Sequence, residues 1–71
     1  MSTNAPGLSD VLLQRITNRT GRRVRELAVE VRSGRVVLRG RTSSFHVKQL
    51  AQVGVRELLP DAHLENAIVV E

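Results

Sequence analysis

Cysteine, tryptophan and tyrosine are all missing from this 71-residue chain, and phenylalanine occurs once, at position 45. Without cysteine there is no disulfide framework, the usual support of a small secreted fold. With one aromatic residue there is no platform of rings on which single-stranded bases could stack. The exposed Trp and Phe that normally fix a protein in a membrane interface are equally scarce. No run approaches the ~20 apolar residues of a membrane span. The opening Met-Ser-Thr-Asn-Ala-Pro-Gly has neither a basic start nor an apolar stretch, so it does not read as a secretory signal. The expectation is a soluble chain of a reducing compartment, cytoplasmic as it stands, or periplasmic if it is a domain of a longer envelope protein. A chain this short has room for one domain and buries only about 60% of its unfolded surface, so its core must be thin and continuous.

Positive charge is abundant but uneven. From Arg15 to Arg41 nine arginines stand against Glu26 and Glu30, a balance of +7, and the rest of the chain carries −3. Such asymmetry favours an anionic partner: phospholipid headgroups, nucleic acid or an acidic protein.

Residues 1–7 are small, polar and broken by Pro6-Gly7, the composition of a disordered tail. A first helix is expected from Asp10 to Arg19, capped by Ser9, with Asp10 at the positive end of the helix dipole. Leu8, Leu12 and Ile16 recur every four residues with Leu13 beside them, forming one apolar stripe that Gly21 ends. The period then changes to two. Leu27, Val29 and Val31 alternate with polar residues, and Val36, Val37 and Leu38 follow after Ser33-Gly34. A two-residue break ending in glycine suits a tight hairpin, because primed turns need positive φ.

Counting fixes the register. A two-residue loop pairs Arg32 with Arg35, so Val31 faces Val36, Val29 faces Leu38 and Leu27 faces Gly40. Every large apolar residue except Val37 then falls on one face, and a slip by one residue would destroy that agreement. The opposite face carries Arg32, Arg35, Arg39 and Arg41 with Glu26 and Glu30, a basic and solvated surface.

Thr42-Ser43-Ser44 supplies helix caps. From Phe45 helical spacing returns, with Val47, Leu50, Ala51, Gly54 or Val55, and Leu58 on one side. Gly54 costs about 1 kcal/mol in a helix interior and reads as a site of close packing against the sheet. Pro60 ends the helix. Leu64, Ile68 and Val70 then alternate with Glu65, Ala67 and Val69 as a third strand. The fold class is α+β, in the order α-β-β-α-β, with a three-stranded sheet carrying both helices on one face.

Catalysis has little to stand on. His46 and His63 are the only histidines, and neither has a metal-ligand spacing with a second ligand. Ser43 and Ser44 match helix caps better than nucleophiles. Asp61 and Glu65 read as a solvated pair, and the glycines form no phosphate-binding loop. The expectation is a protein that is not an enzyme and needs no metal or cofactor.

The run Leu27-x-Val29-x-Val31-x-x-Gly34-x-Val36-x-Leu38-x-Gly40-x-x-Ser43 resembles the central hairpin of BON domains, named for bacterial osmotic-shock and nodulation proteins. Ala51 matches the family's alanine-bearing helix, and Leu64-x-Asn66-x-Ile68 its last strand. Leu59-Pro60-Asp61 departs from the Gly-Val that usually precedes that strand. The resemblance spans roughly Asp10 to Glu71 and implies a single binding module over 8–71, contacting phospholipid or an envelope or membrane-associated protein. Salt-sensitive contact with anionic headgroups would use Arg32, Arg35, Arg39 and Arg41, with Arg22 and Arg23 alongside, at about 1 kcal/mol per basic residue. Two alternatives stand beside this. One is binding to the phosphate backbone of duplex nucleic acid without sequence preference. The other is docking or homodimerisation through a sheet edge.

Overall fold

The computed structural model describes residues 7–71, and within them the order is helix α1 (Leu8–Thr20), strands β1 (Arg25–Arg32) and β2 (Arg35–Thr42), helix α2 (Phe45–Leu58) and strand β3 (His63–Val70). Of the expected disordered tail, residues 1–6 lie outside the described residues. Gly7 does not belong to a tail, because it is the N-cap of α1.

The first helix starts two residues earlier than its polar signals imply. Gly7, not Ser9, holds the extended N-cap conformation, and no side chain caps the helix. Glycine is tolerated there, and the Gly7 carbonyl accepts the first helical bond, from the Val11 N–H at 3.1 Å. Asp10 still falls in the first turn. Two threonines near the C-terminus bond back to the preceding turn, Thr17 to the Leu13 carbonyl and Thr20 to that of Ile16, both at 2.8 Å. That bond lets Thr20 be buried without an unpaired hydroxyl. The Gly21 N–H then closes the helix on the Thr17 carbonyl at 3.0 Å.

The hairpin follows the counted register from Arg32–Arg35 through Val29–Leu38. Ser33 and Gly34 both have positive φ, +46° and +79°, the geometry of a type I′ turn. Beyond Ala28–Arg39 the register shifts. Arg25 pairs with Arg41, so Glu26 and Leu27 together oppose Gly40 in a β-bulge, where simple counting places Leu27 alone. Glu26 absorbs the extra residue by taking φ +55°.

Strand β3 pairs with β2 in parallel, Arg35 beside His63 through to Thr42 beside Val70, giving the sheet order β1-β2-β3. A parallel neighbour requires a crossover, which α2 supplies. Its N-terminus is capped as the sequence implies, the Ser44 hydroxyl accepting the Val47 N–H at 3.3 Å. Leu12 and Ile16 of α1, Ala51 and Val55 of α2, Val36 and Leu38 of β2 and Ile68 of β3 form one buried cluster, so both helices cover the same sheet face. Central β2 is covered most completely. On the edge strands Leu27, Val29 and Val31 of β1 and Leu64 of β3 are only half-buried, whereas Ile68 of β3 is buried. No described helix is long and apolar enough to cross a membrane.

Gly54 is buried, but it faces α1 and not the sheet. A methyl group added there would lie 3.5 Å from the Ile16 Cα and from the Arg15 Cγ, an ordinary contact distance. Gly54→Ala is therefore expected to stabilise the domain by about 0.5–1 kcal/mol, the helix-propensity difference. A rise in the urea midpoint would show it. A fall would mean that the helices must approach more closely than alanine permits.

Candidate functional site

Strand alternation sends Arg35, Val37, Arg39 and Arg41 of β2 to the sheet face opposite the helices. The ladders place β1 and β3 residues in rows across them. Arg32, Arg35 and His63 form the row at the hairpin end, followed by Glu30, Val37 and Glu65, and then by Ala28, Arg39 and Ala67. At the far end Arg25 and Arg41 lie beside Val69. The charged residues of these rows are exposed, whereas Val37 is half-buried.

This face is less basic than the hairpin alone implies. The third strand contributes Glu65 and the chain beyond it Glu71, and the bulge brings in Arg25. Arg32 pairs with Glu30 at 3.3 Å and Arg35 with Glu65 at 3.6 Å. Arg41 lies 3.6 Å from Glu26 and 3.7 Å from Glu71, and Arg25 also pairs with Glu71. Pairs this exposed add little stability, but each acid offsets the local potential of its arginine.

Arg39 differs from these arginines: it has no acidic partner among the described residues. Its cross-strand neighbours are Ala28 and Ala67, too small to cover it. The guanidinium therefore keeps its planar fork of donors for a phosphate or carboxylate. Glu30 and Glu65 flank Val37 on one side of it, so the local potential is more positive toward Arg41. On the Glu30 side the face dips into a dish of only about 210 Å³, lined by Glu30, Arg32, Arg35, Val37, Arg39 and Glu65. That is smaller than the ~300 Å³ at which small-molecule sites begin.

Arg22 and Arg23 lie in the turn between α1 and β1, exposed and without acidic partners among the described residues. They adjoin the sheet end that carries Arg25 and Arg41, because Val24 packs against Gly40. Arg15 and Arg19 serve the fold instead, since both reach from α1 to Glu57 of α2, Arg15 at 3.3 Å. Two of the nine clustered arginines thus bridge the two helices at the surface.

His46 and His63 are both exposed, one in the first turn of α2 and one at the start of β3. Among the described residues no cluster of three His, Asp or Glu side chains could hold a metal ion.

Helical spacing hid a second feature. Phe45 is 62% exposed and Val53 44% exposed, and with Gln49 they form a stripe on α2 turned away from the buried Val47, Ala51 and Val55. A groove of about 660 Å³ runs along this stripe and reaches Asn66 of β3. Phe45 and Val53, eight residues apart and off the core stripe, were the available signal.

No protein-family model, no curated protein and no solved structure matches this chain.

Proposed function

We propose that the chain is a non-catalytic, BON-like binding module that meets anionic phospholipid headgroups through its open sheet face, with Arg39 as the primary contact. The observation that carries this reading is that Arg39 stands without an acidic partner between Ala28 and Ala67, while Arg32, Arg35 and Arg41 are paired. A flat face suits a planar array of headgroups better than a small molecule, which would need enclosure. Arg22 and Arg23 extend the contact at one end. The α-β-β-α-β order and the glycine-marked hairpin support the BON resemblance. The sole aromatic residue lies on α2 and not on this face, which favours electrostatic contact over insertion.

The test is co-sedimentation with phosphatidylglycerol and phosphatidylcholine vesicles across a salt series, beside a duplex-DNA mobility shift. Arg39→Ala is expected to weaken vesicle binding about fivefold, the effect of ~1 kcal/mol. Arg32→Ala should weaken it less, since it removes an arginine that Glu30 already offsets. Equal losses for the two variants would reduce the site to net charge. Equal retention on vesicles and DNA would replace the lipid reading by general phosphate binding, and no retention on either would end both.

A further inference from the structure

The two edges of the sheet are not equivalent. Strand β1 is interrupted by the bulge at Glu26 and Leu27 and carries Arg25, Glu26, Glu30 and Arg32, features that discourage strand addition. Strand β3 has no bulge, proline or lysine over its eight residues. Its backbone directions follow from the ladder. The His63 N–H donates to the Gly34 carbonyl at 3.0 Å and the Glu71 N–H to the Thr42 carbonyl at 2.8 Å. Because parallel ladders alternate, residues 63, 65, 67, 69 and 71 direct their amides to β2, and Leu64, Asn66, Ile68 and Val70 direct theirs to the open edge.

One of these outward groups has a partner that an incoming strand could replace. The Asn66 carbonyl oxygen Oδ1 accepts the Ile68 N–H at 3.3 Å, and Asn66 Nδ2 donates to the Lys48 carbonyl of α2 at 3.0 Å. Asn66 thus stands where the carbonyl of an added strand would be, tethered to the helix above. Beside it lies the α2 groove, with Phe45, Leu50 and Val53 as apolar lining and Lys48 and Arg56 as cations. Glu57, its only acid, is engaged by Arg15 and Arg19.

We infer that the β3 edge and the α2 groove together form a docking site for an extended acidic peptide, which adds a fourth strand to the sheet. Its backbone pairs with the outward groups of residues 64–70, alternate side chains enter the groove, and acidic side chains meet Lys48 and Arg56. A second copy of this chain fits poorly there. Helix α2 packs on β3, so edge-to-edge pairing would bring the α2 helices of the two copies side by side over the joined strands. It would also set Lys48 and Arg56 against their own copies.

The probe is a blocked, fluorescein-labelled nonapeptide with valine and glutamate in turn at every second position and serine between them, so that both side-chain types fall on the groove-facing side. It is titrated into the full chain by anisotropy and by amide NMR. Shifts are expected at residues 64–70 and at Phe45, Gln49 and Val53, and none at Ala28 or Arg39. Replacing the glutamates by lysine should cost about tenfold or more at low salt. Backbone N-methylation of the peptide at one alternate set of residues should abolish binding, while the other set should leave it intact. Arg39→Ala should not change binding, which separates this site from the sheet-face reading. Equal binding by both methylated forms, no preference for the acidic peptide, or a dimer in sedimentation that protects the β3 amides would overturn the inference.

Discussion

Gly40→Val is expected to destabilise the domain by about 3 kcal/mol or more, although valine is the better strand former by ~1 kcal/mol. The Cβ of any residue at this position would lie 2.7 Å from the Val24 Cγ1, 3.0 Å from the Arg25 carbonyl oxygen and 3.3 Å from the Leu27 Cα. The Val24 methyl can rotate away. The other two atoms are backbone, held by the bulge, and can retreat only if β1 separates from β2 at that end. A chain of this length has roughly 4–10 kcal/mol of total stability, so the loss is a large share of it. Urea unfolding followed by far-ultraviolet circular dichroism measures the effect, with Gly40→Ala as a milder companion. A Gly40→Val midpoint within the error of the parent would mean that the bulge opens freely and that β1 does not need this close approach.

Leu38→Ala should cost about 3–4 kcal/mol, near the middle of the range for a buried leucine. Leu38 is fully buried on the central strand, between Val29 of β1 and Asn66 of β3, under both helices. Neither neighbouring strand can move into the space without breaking its ladder to β2, so most of the cavity should persist. The corresponding change at Leu64, on edge strand β3 and only half-buried, should cost less than half as much. Equal losses at the two positions would show that the edge strands are as firmly packed as the centre.

These two sites also mark how far the sequence can be read. Leu38 is legible, since period-two alternation and a two-residue turn leave one register that gathers Val29, Val31, Val36 and Leu38 on one face. Gly40 is legible as a strand glycine but not as the partner of a bulge. The extra residue is accommodated by Glu26 at positive φ, which no pattern of apolar residues announces. Composition misplaces the start of α1 because Ser9 is a good cap by residue type, while the helix in fact begins on the carbonyl of Gly7.

The candidate sites divide in the same way. The arginines of the sheet face can be assigned from the hairpin alone, because alternation is a local property. Which of them keeps its charge unshared cannot. Glu65 and Glu71 arrive from the far end of the chain and neutralise Arg35, Arg25 and part of Arg41, leaving Arg39 between two alanines.

By itself the sequence determined the element order, the hairpin register next to the turn, the turn and the cap of α2, all set by neighbours a few residues apart. The parallel placement of β3, the pairing of the arginines, the contact of Gly54 with α1 and the open β3 edge beneath α2 were decided only in the tertiary structure. Each depends on residues distant in sequence, whose proximity follows from burying the two helices and three strands in one shared core.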